Sequence, residues 1–475
     1  MKLLPLAMVL LAFPAWTAAQ STPQLSTHTN EEVIAAMTTE EKARLLVGTG
    51  VSLSELMEIL QGRKAPDTDV RVLGAAGETA AIPRLGIPSL VLADGPAGLR
   101  IAPQRPGSNK TYYATAFPIA SLQAATWDET LLQQVGKAMG QEAKAYGVDL
   151  ILAPGMNIQR NALGGRNFEY YSEDPLLTGK MAAAMIRGVQ SSGIGTSVKH
   201  FAANNHETNR FGMNVKVQPR ALREIYLRGF EIAVREAQPW TVMSSYNKIN
   251  GTYTSQREDL LRDVLRGDWG FEGFVMTDWY GGQDPVAQMQ AGNNLLMPGT
   301  PEQYEAILQA VEDGQLDETV LDRNIEDILD IIRRCPSFAG QSPTNEAQLK
   351  AHANTARQAA MEGMVLLRNT NQALPLPKGT RAAVFGNRSY ELIAGGTGSG
   401  DVNEAYTVSL IEGMKGNTLL SDDELRRLYA EYLKAERAKL PKNELFFLPQ
   451  QQIPEMAMKE EAIIAAAERT DVAIL

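Results

Sequence analysis

The sequence predicts an α/β protein in which a TIM-like (β/α)8 barrel is followed by an incomplete α/β sandwich domain. Three observations carry this. Short apolar runs recur down the chain, most of them leading into a polar or charged residue; amphipathic segments with helix signals separate them; and the alternation resumes beyond a polar break after residue 335. Such runs suit strands buried on both faces, as parallel sheets require. Closing them into a barrel gathers their C-terminal ends on one rim, where residues remote in sequence converge.

The first twenty residues read as a secretory leader. Lys2 precedes an apolar core at residues 3–13, and the small-residue stretch at 15–19 suits cleavage near Ala19 or Gln20. That core is too short for a membrane span, and no later run is long enough for one. Cys335 is the single cysteine, so export brings no internal disulfide, and a bacterial periplasmic or extracellular location is expected. A formal net charge of −10 with no basic block argues against a nucleic-acid partner and leaves a neutral substrate as the expectation.

The barrel is placed at residues 31–335. Its run SLVLA at 89–93 leads into Asp94; DLILAP at 149–154 leads to a loop with Arg160 and Arg166; GTSV at 195–198 delivers Lys199 and His200; WTVM at 240–243 delivers Tyr246. Helical patterns at 128–146 and 219–237 have the spacing of repeated βα units. The segment GFVMTDWYG at 273–281 is the most telling, because a three-residue apolar strand is followed by Asp278 and an aromatic neighbour. There a carboxylate is either a chemical group on the rim or the N-cap of the next helix. Trp127, Trp240 and Trp269 read as core residues.

A polar linker is placed at 336–346 and the second domain at 347–475. A helix at 347–363 leads to the apolar run at 364–369, and AAVFG at 382–386 gives a further strand. The glycine-rich stretch GGTGSG at 395–400 lacks the Gly-Lys-Ser/Thr ending of a phosphate-binding loop, so it reads as backbone that must approach a ligand or the first domain closely. From 421 to 469 the pattern is charged and helical, and the chain ends on an apolar strand at 471–475. A domain stopping on a strand, with no following loop or helix, looks unfinished.

Taken together, ADGPAGLR at 93–100, GGRNFE at 164–169, KHFAANN at 199–205, SSYN at 244–247, the Asp278 segment and EGMVLLRN at 362–369 resemble glycoside hydrolase family 3, its β-glucosidase branch in particular. The resemblance covers nearly the whole chain after the leader. It implies an exo-acting, retaining hydrolase that removes terminal β-D-glucosyl residues, with no cofactor and a β-linked glucoside or oligosaccharide as partner. Carried over residue by residue, it makes Asp278 the nucleophile. Asp94 would hold distal sugar hydroxyls, with Arg100, Arg166, Lys199, His200 and Arg210 completing the polar wall. Met243, Tyr246 and Trp279 would shape the floor, and Ser399 would reach over from the second domain. These types suit a sugar: a carboxylate accepts from two hydroxyls, arginine and lysine supply several donors, and an aromatic face matches the C–H face of a pyranose. Cations near Asp278 would keep it ionised.

Retaining enzymes pair the nucleophile with a second carboxyl group about 5–5.5 Å away. The resemblance puts that glutamate beyond residue 475, so the chain reads as a C-terminally truncated copy with impaired activity, or as a non-catalytic sugar-binding fragment. Glu169 and Glu207 are expected to pair with Arg166 and Arg210, and Glu173-Asp174-Pro175 to open a helix. A zinc reading of His200, His206 and Asp278 fits no common ligand spacing. Among other exo-glycosidase specificities, those for xylose (β-xylosidase), arabinose and galactose stay open, whereas N-acetylglucosaminidase is disfavoured by the AANN stretch at 202–205.

Overall fold

The computed structural model describes residues 22–50, 58, 70–105, 107–395, 398–416, 418–441 and 451–475. The expected leader lies outside them. Among the described residues, nine strands belong to the first part of the chain: β1 (Gly77–Glu78), β2 (Val91–Asp94), β3 (Leu150–Leu152), β4 (Gly195–Phe201), β5 (Asn214–Val215), β6 (Thr241–Ser244), β7 (Lys248–Ile249), β8 (Thr252–Tyr253) and β9 (Phe274–Met276). Six of them form one sheet in the order β1-β2-β3-β4-β6-β9. From β2 to β9 every neighbour is parallel.

The sheet closes through two segments too short to count as strands. Met276 bridges Leu295, Leu296 bridges Val47, and Gly48 bridges Thr79 beside β1. Backbone hydrogen bonds secure the seam, with Gly48 N donating to Leu296 O at 2.9 Å and Leu296 N to Leu46 O at 2.9 Å. Six strands and two bridging segments thus make a ring of eight staves among the described residues. One expectation needs correction: β1 runs antiparallel to β2, and the Gly48–Thr79 bridge is antiparallel too, so one stave is reversed. A two-residue, half-buried strand carries no apolar run that could have announced it.

Alternate side chains of each strand point to opposite faces. Val91, Ala93 and Ile151 pack with Val135 and Met139 of the helix Glu129–Tyr146, while Val198, Val242 and Val275 pack with residues of the helices Pro175–Gln190 and Arg228–Ala237. The opposite parity, which holds Asp94, Lys199 and Met243, therefore faces the barrel axis. The helices are capped as their sequences dictate: Asp128 accepts from Leu131 N, and Asp174 caps a helix with Pro175 at its first position. No helix among the described residues is long and apolar enough to cross a membrane.

The described residues of the second part hold three parallel strands, β10 (Arg381–Val384), β11 (Leu420–Ser421) and β12 (Val472–Ile474), with β10 central. Ala382 and Val384 pack on Ile411 and Met414, whereas Ala383 packs on Leu425 and Ala466, so helices cover both faces. The apolar run at 364–369 forms no strand. Met364 to Leu367 are all exposed, because no described strand offers them a ladder. Trp127 likewise departs from expectation, being 76% exposed rather than in the core.

The two parts meet where the helix Leu349–Gly363 lies against the helices Ala120–Ala125 and Glu129–Tyr146. A side chain at Gly363 would put its Cβ 2.3 Å from Leu122 O, so glycine permits the approach. Buried His352 holds Glu142 Oε1 through Nδ1 at 2.7 Å, and Glu142 also accepts from Thr115 N at 2.9 Å and Thr115 Oγ1 at 2.6 Å. Hydrogen bonds to charged groups contribute about 1.5–3 kcal/mol. We expect His352→Ala to lower unfolding free energy by about that amount, measured by urea denaturation against the parent chain.

Candidate active site

Asp278 stands two residues past the end of β9 and caps no helix; the next helix, Pro285–Ala291, is capped by Asp284. Its Oδ1 accepts from Trp279 N at 2.8 Å, while Oδ2 is buried and accepts no hydrogen bond. His200 Nε2 lies 3.6 Å from Oδ2. One oxygen is thus anchored and the other available. Trp279 is fixed in turn by its indole, which donates to Ala76 O at 3.2 Å beside the reversed stave.

Around this carboxylate the rim alternates acids and bases. Asp94, the last residue of β2, lies 3.4 Å from Arg100 Nη1 and 3.7 Å from Lys199 Nζ. Arg166 Nη2 pairs with buried Glu169, whose Oε1 is 4.0 Å from His200 Nε2 and whose Oε2 accepts from Ser399 Oγ at 3.2 Å. Arg100 Nη1 also donates to Gly398 O at 2.7 Å. A Cβ on Gly400 would come within 2.6 Å of the Phe168 ring, so the glycine-rich loop does press on the first domain. Arg210 pairs with Glu207 at 3.0 Å and lies 4.8 Å over the Tyr246 ring.

Burial dominates the ionisation of these groups. It pushes the Asp278 carboxyl above its ordinary value, against the pull of Arg166, Lys199, the Tyr246 hydroxyl and the Trp279 N–H. The nearby cations favour the charged form, as expected, and moderate the shift without reversing it. Burial, reinforced by Arg166, Lys199 and Arg210, holds His200 well below its ordinary value, so its imidazole is neutral near pH 7. Burial and the neighbouring Asp278 hold the Tyr246 phenol protonated. Burial alone would lower Arg166, but Glu169, Tyr170 and Asp278 keep it fully charged.

Nine of the predicted residues thus meet at the rim, namely Asp94, Arg100, Arg166, Lys199, His200, Tyr246, Asp278, Trp279 and Ser399, with Arg210 joined through Tyr246. Met243 is buried on β6 among Leu92, Leu152 and Met276, beneath the rim. Arg160 faces the Tyr226 ring at 5.9 Å and stays apart. Two residues escaped sequence reasoning. Asn157 receives His200 N at 2.8 Å and stands 3.2 Å from His200 Nδ1; Tyr170 OH is also 3.2 Å from Nδ1. Asn157 had a readable signal as a polar residue in the loop after β3, whereas Tyr170 had none.

Fold and site together define the class: an α/β barrel with a charged, hydrogen-bonding pocket on its C-terminal rim and a second α/β domain leaning into it. The chain belongs to glycosyl hydrolase family 3: residues 63–331 match that family's N-terminal domain and residues 364–475 its C-terminal domain. It is 41% identical over 366 residues to thermostable beta-glucosidase B of Acetivibrio thermocellus, covering 75% of this chain and 47% of that protein. It is 45% identical over 299 residues to an exo-alpha-(1->6)-L-arabinopyranosidase of Bifidobacterium longum, covering 62% of this chain and 39% of that protein. Beta-glucosidase 3B of Thermotoga neapolitana, solved in complex with alpha-D-glucose, superposes with a TM-score of 0.86 at 48% identity over 94% of this chain and 62% of that one. The chain spans less than half the length of the two curated relatives.

An acid whose folded value lies above its unfolded value costs stability as pH rises through that interval, because the unfolded chain gives up its proton first. Asp278→Asn removes this cost. We expect the variant to unfold at a higher temperature than the parent at pH 7 and the difference to shrink toward pH 4, close to the unfolded value of about 3.9, in thermal scans across pH.

Proposed function

We propose that this chain carries the nucleophile and most of the sugar pocket of an exo-acting, retaining β-glucosidase. The observation that supports it best is the geometry of Asp278: Oδ1 is held by Trp279 N–H, and Oδ2 is buried with His200 Nε2 at 3.6 Å. Trp279 and Tyr246 flank it, and Arg166, Lys199 and His200 stand nearby. The similarity to thermostable beta-glucosidase B and to the glucose complex of beta-glucosidase 3B points to the same chemistry.

In this reading Asp94, Arg100, Lys199, His200 and Arg166 hold the hydroxyls of a terminal glucosyl residue, and Trp279 takes its apolar face. Asp278 Oδ2 attacks the anomeric carbon as the bond to the leaving oxygen breaks, giving a glycosyl ester that water later hydrolyses. Neutral His200 lies beside Oδ2 with Nε2 at 3.6 Å and adds no charge there. Glu169 is committed to Arg166 and Ser399, and Glu207 to Arg210, so neither is assigned the proton-transfer role.

The test is intact mass and peptide mapping after incubation with 2,4-dinitrophenyl 2-deoxy-2-fluoro-β-glucoside, whose leaving group departs without protonation. We expect one sugar adduct on Asp278. Glucose binding without an adduct would favour the sugar-binding fragment instead. A second glycone has specific support, since the chain is 45% identical to an arabinopyranosidase. Faster labelling or turnover with an α-L-arabinopyranoside than with the β-glucoside would move the assignment there.

Export is part of the proposal. The Lys2 start, the apolar core and the small residues at 15–19 support it. Expressed from its full reading frame in a bacterium, the protein is expected in the periplasmic fraction with a mature N-terminus just after Ala19 or Gln20, read by terminal sequencing.

A further inference from the structure

At the opposite end of the barrel from Asp278, the chain leaves a cavity that no role so far absorbs. It measures about 430 Å³ and lies between the C-terminal end of the helix Glu129–Tyr146, the N-terminal end of β3, and the stretch of residues 336–348 that leads into the helix Leu349–Gly363. That volume is within the ordinary range for small-molecule sites, which favour seams between domains.

The frame of the cavity is anchored at both ends. Asp149, just ahead of β3, is buried; its Oδ2 accepts from Val91 N at 3.0 Å and from Arg71 Nη1 at 3.2 Å, and its Oδ1 accepts from Ser337 N at 3.2 Å. Further along the stretch, Asn345 N donates to Ala145 O at 2.8 Å. Between these anchors the chain arches past Gly147, where a Cβ would stand 3.3 Å from the Pro343 ring. Buried His352 closes one side, its Nε2 at 3.1 Å from Gln141 Oε1.

The lining matches hydroxyl groups rather than a charge. Ser337 Oγ is shielded from solvent and has no hydrogen-bond partner, which costs stability unless a ligand or water meets it. Gln341, Ser342 and Gln348 add two amides and a hydroxyl, groups that both donate and accept. With His352 paired to Glu142, the remaining charges of the wall balance, Arg71 and Lys144 against Asp149 and Glu346.

We propose that this cavity is a second ligand site, for a neutral polyhydroxylated molecule the size of a mono- or disaccharide. Hydroxyls of the ligand meet Ser337 Oγ and the amides of Gln341 and Gln348, and the bound molecule ties the helix Glu129–Tyr146 to the segment that joins the two parts of the chain. The site stands apart from the chemistry at Asp278, since it needs no residue of the rim.

Isothermal titration of the full chain with glucose tests this, in the parent and in Asp94→Ala, which removes a sugar-binding carboxylate from the rim. The parent is expected to bind two equivalents and Asp94→Ala one. Adding Ser337→Ala to Asp94→Ala should weaken the remaining site by roughly two- to tenfold, the loss of one hydrogen bond, and adding Ser342→Tyr should fill the cavity and abolish it. Glucuronate, which carries a negative charge, is expected to bind there no better than glucose. An Asp94→Ala chain that is folded by its near-UV dichroism yet binds no glucose overturns the second site, as does a remaining site indifferent to both Ser337→Ala and Ser342→Tyr. Preference for glucuronate overturns the neutral class of ligand. The rim pocket is judged separately, by whether Asp94→Ala binds one equivalent fewer than the parent.

Discussion

Charge compensation in a space nearly closed to water governs this rim. A buried carboxylate must find a cation or lose its charge, and each acid here except one has a dedicated partner: Asp94 has Arg100 and Lys199, Glu169 has Arg166, Glu207 has Arg210. Asp278 has only the neutral His200 within ion-pair distance among the described residues. Its upward shift follows from burial, which the more distant Arg166 and Lys199 oppose without cancelling. The surrounding pairs spend their charge on each other and fix the wall, and Asp278 is the one acid of this group without a counterion at ion-pair distance among the described residues.

The barrel makes this arrangement possible by parity as much as by closure. Asp94 and Lys199 share the inward parity of their strands, so the alternation that sends Val91, Ala93 and Val198 into the helical layer also turns the charged residues toward the axis. His200 breaks that alternation at a bulged register in β4, between Val198 and Phe201, and Asn157 and Tyr170 hold its ring from behind. Ser399 adds a contact from a different domain, which couples the pocket to how the second part of the chain is seated.

Much of this was legible in the residues. β9 at Phe274–Met276 coincides with its apolar run, and the runs leading to Asp94, Lys199 and Tyr246 became β2, β4 and β6 because buried parallel strands need little besides apolar, β-forming side chains. The reversed stave was hidden, since two residues held by neighbours leave no pattern. So were the bridges at Val47 and Leu296, which owe their place to ring closure. The run at 364–369 misled for the opposite reason: it has strand composition but no described strand beside it. At the site, the residues gathered around Asp278 carried motif signals, while Tyr170, which stands against the Nδ1 side of His200, looked like any buried aromatic.

The segment of residues 112–117 touches every part that must agree. Phe117 N donates to Ala97 O in the Asp94–Arg100 loop, Ala114 N donates to Asn403 O, Asn403 Nδ2 donates to Tyr112 O, and Thr115 binds Glu142. The pocket wall is therefore not a module owned by either domain. Exchanging second domains between related proteins to alter specificity would succeed only when the incoming loop at 398–403 fits the resident strip at 112–117, so the two stretches behave as a single unit of inheritance despite lying almost three hundred residues apart.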